Sequence, residues 1–170
     1  YGLGVLFMLG RYVWRYLKLR SFLQKGEWER KEDYILVSPL QSTAPFSFFH
    51  YIVLPPDLKG TAMQHQVLEH ELVHVRQWHS LDILFAELLL IVAWANPAVW
   101  AYRLLVRNNL EYLVDQELIR QGMPKKSYQY SLLRLSVAPA GLSLVNHYNS
   151  SFIKKRIQKM NSKQSFRHTF

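Results

Sequence analysis

His70-Glu71-Leu72-Val73-His74 is the stretch on which the reading of this chain turns. On a helix, residues four apart share a face, so the two imidazoles lie one turn apart. Such a pair can grip one zinc ion, and the glutamate beside the first histidine can work on a metal-bound water. The neighbours argue against two merely solvated histidines. Val67, Leu68, Leu72 and Val75 form an apolar stripe that buries one side of the helix.

Around the motif, Thr61 to about Ser80 reads as one helix, with Thr61 as N-cap and Gln64 at the capping-box position. Upstream, Tyr34–Val37 and Phe48–Leu54 are β-type runs separated by turn residues and closed by Pro55-Pro56. They predict a hairpin beside the motif helix, after a charged connector over 27–33. Downstream, an apolar segment over 83–95 breaks at Asn96-Pro97, and Pro97 suits the first position of a helix running to Arg120. Gly122-Met-Pro124 stops it. A helix over 126–137 follows, broken at Pro139-Ala-Gly141. Ser150 or Ser151 then caps a basic helix over 152–160, and the residues from Asn161 onward form a polar tail.

Composition bounds the chemistry. A chain of 170 residues allows one domain with a real core. Cysteine is absent, which excludes disulfide scaffolds and thiolate metal sites. Any metal must therefore use His, Asp or Glu. The net charge of +9 suits nucleic acid, an anionic membrane surface, or the flanks of membrane helices. The basic residues flank apolar runs, which favours the membrane over nucleic acid. Tyr1–Leu9 reads as the tail of a membrane helix. Its positive flank of Arg11, Arg15, Lys18, Arg20 and Lys25 would lie in the cytoplasm, and Gly26 would stop the helix. Extended through Trp100, the apolar segment from Ile83 could also sit in a membrane if neighbouring helices tolerate Pro97.

Two histidines need a third protein ligand. A third histidine fails the longer zinc pattern, because Gln77 stands where Gly is required and Ser80 where the last His is required. His79 is better read as a helix-end residue or a support for a ligand. The remaining options are Glu87, Glu111 and Glu117. Glu111 is favoured because Asp115 follows one turn later on the same face and can orient a ligand histidine. The competing reading makes Glu111 and Asp115 a solvated acidic pair beside Arg107.

His70-Glu-Leu-Val-His74, Trp94-Ala-Asn-Pro97 and Glu111-Tyr-Leu-Val-Asp115, in that order, resemble the integral-membrane zinc metallopeptidases of the BlaR/MecR-type antibiotic sensor-transducers. Ser42-Thr-Ala-Pro-Phe46 and Ile52-Val-Leu-Pro55 match the lead-in of that family. The resemblance covers roughly 38–122. It implies Zn2+ held by His70, His74 and Glu111, with Glu71 as catalytic base and Asp115 as supporting acid. One departure is His79, where many members carry Asp, and β-lactam sensing is not carried over.

The expected fold is mainly α with a small β hairpin, a zincin-like metallopeptidase domain packed with membrane helices. The expected division is a membrane helix and basic flank over 1–25, a zinc metallopeptidase domain over 26–149 with a membrane-embedded helix at 83–100, and a basic helix and tail over 150–170. The expected function is a membrane-associated zinc metalloendopeptidase in a bacterial signalling pathway, at the cytoplasmic membrane, multi-pass, with its site on the cytoplasmic side. It would cut a repressor-like regulatory protein, and itself near Asn149–Arg156. The alternative is a catalytically silent membrane signalling module. Partners are a protein substrate and the lipid bilayer, with no direct nucleic acid; the oligomeric state is open. Substrate would lie along the hairpin edge at 48–54. His147, Tyr148, Tyr112 and Arg107 are candidate donors to the oxyanion.

Overall fold

A computed structural model describes residues 1–40, 43–137 and 143–162, excluding the side chains of 136–137 and 143–150. The elements run α1 (Gly2–Gln24), β1 (Glu27–Arg30), β2 (Ile35–Ser38), β3 (Phe46–Phe48), β4 (Tyr51–Val53), α2 (Ala62–Arg76), α3 (His79–Val92), α4 (Pro97–Arg120), α5 (Lys125–Val137) and α6 (Ser143–Asn161). The chain is mainly helical with one small sheet, as its composition and periodicity predict. The expected break at 139–141 lies outside the described residues, as do 163–170 of the polar tail.

The sheet is larger than the expected hairpin. Its order is β1-β2-β4-β3. β1 pairs antiparallel with β2, β3 pairs antiparallel with β4, and β2 runs parallel to β4. The two runs expected to form a hairpin are therefore parallel neighbours in the middle of the sheet. Each makes its hairpin with a segment that reads as connector. β1 escaped notice because all four of its residues are exposed, so it carries no apolar face. It is held by Trp28, whose indole donates to the Leu23 carbonyl at 2.7 Å and packs edge-on against Tyr51.

Two buried clusters fix α2 between the sheet and the helices. Ile52, Leu54 and Leu58 meet Met63, Val67 and Leu72 on one side of α2. Val73 meets Val114 and Leu118 of α4 and Tyr128 and Leu132 of α5 on another. Full burial of each aliphatic side chain contributes roughly 1.5–3 kcal/mol.

The ends of α2 differ from expectation. Thr61 is the N-cap, but its hydroxyl donates back to the Leu58 carbonyl at 2.8 Å. Gln64 caps instead by accepting from the Gly60 N–H at 2.7 Å, where Gly60 takes the left-handed φ of 76°. The helix stops at Arg76 rather than near Ser80. Trp78 adopts φ 56°, ψ 31°, and α3 starts afresh at His79. A non-glycine residue in that conformation is uncommon, and no Gly or Pro announces the break. α4 begins as its sequence predicts, with Asn96 Oδ1 accepting from the Ala98 N–H at 2.9 Å and Pro97 in first place. α6 starts well before the expected Ser150 or Ser151 cap.

Among the described residues no helix is long and apolar enough to cross a membrane. The reading of 1–25 and 83–100 as membrane helices therefore gains no support from the helices described. Arg11, Arg15, Lys18 and Arg20 fall inside α1 itself. α3 has 14 residues, or about 21 Å of helix against a hydrocarbon layer of about 30 Å. Apolar side chains are nevertheless exposed on α1 (Leu3, Leu6, Phe7) and on α3 (Phe85, Leu88, Val92).

Candidate metal centre

His70 and His74 stand one turn apart on α2, with ring centroids 5.0 Å apart. α4 crosses α2 and brings Glu111 between them. Glu111 Oε2 lies 3.4 Å from His70 Nε2, and Oε1 lies 3.6 Å from His74 Nε2. One ligand atom from each of the three falls within 4.8 Å of the others. A tetrahedral ion with bonds of about 2.0–2.1 Å spaces its ligands about 3.3–3.4 Å apart, so the two carboxylate–imidazole separations approach that spacing and small side-chain movements would close the set on such an ion.

Each of the three side chains is held from behind by a different helix. Tyr128 of α5 donates its hydroxyl proton to Asp115 Oδ1 at 2.7 Å. The same oxygen lies 2.8 Å from His70 Nδ1. Having given its proton away, it can only accept there, so Nδ1 of His70 carries hydrogen and Nε2 offers its lone pair to the centre. Asp115, expected to orient a ligand histidine, thus reaches His70 through Tyr128 rather than directly. His74 Nδ1 lies 2.9 Å from His79 Nδ1. The left-handed Trp78 makes this contact, because on a continuous helix His79 would point well away from His74. Arg156 of α6 reaches Glu111 Oε2 at 2.7 Å and Asp115 Oδ1 at 2.6 Å.

The electrostatics follow from burial and these partners. Burial alone would raise Glu111, but the hydrogen bond and charge of His70, then the Arg156 guanidinium, hold it well below the usual carboxylate range. Burial pushes His74 down to about 3, with the His70 charge adding to it. Burial raises the Tyr128 phenol, and the Asp115 charge raises it further. Glu71 is buried beside the histidines, and burial raises its carboxyl above the ordinary value against a lowering hydrogen bond from Ser47. A carboxylate shifted toward neutrality is suited to taking and returning a proton. Buried Glu71 and Asp115 and part-buried Glu111 lie around the buried guanidinium of Arg156, an excess of acidic groups over basic ones. A divalent cation cancels that imbalance.

These groups open on a cleft of about 290 Å³. Its walls come from Pro45, from α2 (Gln66, Val67), from α5 (Ser131, Leu132, Leu135) and from α6 (Phe152, Ile153).

Other residues singled out by sequence sit elsewhere. Glu87 pairs with Arg103 at 2.5 Å, and Glu117 pairs with Arg120 at 2.7 Å. Neither approaches the histidines as Glu111 does. Arg107 lies 3.8 Å from Glu87, away from the cleft walls. Tyr112 packs against Phe152 with ring centroids 6.0 Å apart. His147 and Tyr148 belong to α6, and their side chains lie outside those described. Sequence reasoning missed Tyr128, Arg156 and Ser47. Arg156 ends the run Lys154-Lys155-Arg156, whose other two members are exposed, so nothing local distinguishes it.

Residues 35–160 match the family described as BlaR1 peptidase M56. No curated protein matches the chain. The matched span takes in α2, α4, α5 and nearly all of α6, and so every residue of the centre. On that match, the chain belongs to the BlaR1 peptidase M56 family.

Proposed function

We propose that this chain is a membrane-associated zinc metalloendopeptidase of a bacterial signalling pathway, acting on a repressor-like regulatory protein. The observation that carries the reading is the His70, His74 and Glu111 grouping with buried Glu71 alongside. Two imidazoles, one carboxylate and no thiolate form a donor set of the catalytic zinc type. The ion, when bound, supplies a nucleophilic water at neutral pH and polarises the scissile carbonyl.

The chain's own residues do the rest. Glu71 takes the proton of the attacking water and returns it to the leaving amide nitrogen. Burial and Ser47 hold its carboxyl in place for both steps. An extended substrate adds to the β3 edge rather than to 48–54, because β4 is already paired on both sides while β3 ends the sheet. Pro45, just before β3, lines the cleft.

Supporting self-processing, Phe152 and Ile153 of the Asn149–Arg156 segment line the same cleft. Supporting a bilayer partner, exposed apolar side chains of α1 and α4 adjoin basic residues. Arg11 stacks on Trp100 with its guanidinium 5.9 Å from the ring centroid, and Lys18 lies 5.3 Å from Trp14. A position at the cytoplasmic membrane, multi-pass, with the centre on the cytoplasmic side, is part of the same proposal.

Glu71→Gln tests the reading. Metal analysis should find zinc at wild-type stoichiometry, while cleavage of a casein-type substrate is lost. Full cleavage by that variant would overturn the mechanism. Zinc-loaded wild type that cuts nothing would favour the silent signalling module.

A further inference from the structure

Among the described residues, Phe49 and Trp78 are the two other than glycine with left-handed backbone, at φ 50° and φ 56°. Bulky side chains resist that conformation, and residues held in it gather at functional sites. The two stand far apart in sequence, yet one hydrogen bond joins their turns. The Phe49 N–H donates to Ser80 Oγ at 2.8 Å. Phe49 lies in the tight turn between β3 and β4, and Ser80 lies two residues past Trp78, at the start of α3.

This bond ties together two parts that peptide cleavage must hold in register. On one side, the Trp78 turn follows α2, which carries His70, Glu71 and His74. On the other, β3 ends the sheet and follows Pro45 of the cleft wall. Phe46 packs against Leu23 and Val37, so alternation along the strand turns Ser47 to the α2 side, where it bonds Glu71. β3 has 3 residues and pairs only with β4, and the ladder ends at Phe48, leaving the Phe49 N–H outside it. A misplacement of about 1 Å between a bound peptide and the attacking group lowers the rate about 100-fold. We propose that Ser80 is a positioning residue. Its hydroxyl pins the β3–β4 turn to the α2–α3 joint, and so keeps a peptide on the β3 edge in register with Glu71 and the two histidines. This role rests on the metallopeptidase reading above, with its edge-bound substrate.

The test uses the full zinc-loaded chain and two fluorescence-quenched peptides built around one bond that it cuts in casein. One peptide covers the scissile bond and little more; the other runs the length of β3. Wild type should cut the long peptide with the higher kcat/KM. In Ser80→Ala that preference should shrink about 10- to 100-fold, while the short peptide and the affinity for zinc stay within about twofold of wild type. Ser80→Thr keeps the hydroxyl and should restore the preference. If Ser80→Ala does not fold, amide exchange decides: the Phe49 N–H should exchange more slowly when the long peptide is bound to Glu71→Gln, and unchanged exchange would overturn the proposal. An undiminished preference in Ser80→Ala would overturn it too, as would equal losses on both peptides together with weaker zinc binding, which would place the effect at His79. A wild type that cuts both peptides equally would remove the edge-bound substrate and this inference, leaving the metallopeptidase reading in place. A zinc-loaded wild type that cuts no casein would overturn that reading itself.

Discussion

The hydroxyl of Tyr128 lies 2.8 Å from Nδ1 of His70, with its own proton committed to Asp115. One oxygen thus fixes which histidine nitrogen is bare, from a residue outside the His70, His74 and Glu111 grouping.

Tyr128→Phe should therefore weaken metal binding without removing a ligand. Asp115 keeps its Arg156 contacts, whereas the His70 N–H loses its acceptor. Affinity should fall about 10- to 100-fold, as for other partners that orient metal ligands. Stability should fall by about 1–3 kcal/mol for the buried donor left unpaired. Competition with a chromophoric chelator and urea denaturation measure the two effects. Unchanged affinity would mean that His70 needs no such support.

His79 makes a sharper case. His74 must give its Nδ1 hydrogen to His79 if its Nε2 is to bind metal, so only an acceptor is needed at position 79. His79→Asp should keep affinity within about threefold, while His79→Leu should lose roughly tenfold or more. Equal loss in both variants, in the same chelator competition, would show that the contact is not an oriented hydrogen bond.

The histidine pair should release one proton on metal binding, not two. Burial pushes His70 down, but the hydrogen bond and charge of Glu111 more than reverse this, so its pKa lies above 6.5. His74, at about 3, is already bare near neutrality. Below the His70 pKa the proton favours the metal-free state and the metal must displace it. Apparent affinity should drop about tenfold per pH unit there and level off above it. Calorimetry in buffers of different ionisation enthalpy counts the protons. Two protons released near pH 6, or an affinity that stays flat down to pH 5, would contradict the assignment.

A surface substitution should reach the same centre. Trp78 is 61% exposed and left-handed. Trp78→Val puts a β-branched side chain in a conformation it resists, costing about 1–3 kcal/mol. His79 should loosen from His74, and metal affinity should fall with it. A variant as stable as wild type, with full affinity, would show that the left-handed turn does not set the His74–His79 contact.

What could be read from the sequence was what repeats along one helix. His70 and His74, then Glu111 and Asp115, are each four apart, and Asn96-Pro97 is a local start signal. The supports are not periodic. Tyr128 and Arg156 count only because α5 and α6 fold back over α2 and α4. His79 counts only because a tryptophan, rather than a glycine, makes the turn. The same reason hid β1, whose charged residues pair through the backbone and through Trp28. The exposed apolar faces of α1 and α3 carried a membrane signal in the sequence, but neither helix is long and apolar enough to span.

The three ligand supports come from three separate helices: His79 from α3, Tyr128 from α5 and Arg156 from α6. The centre is therefore a three-input gauge of tertiary assembly. If any one of these helices leaves its seat, one ligand loses its orientation while the other two keep theirs. The affinity of a preparation for metal then reports, in a single number, whether all three helices are home.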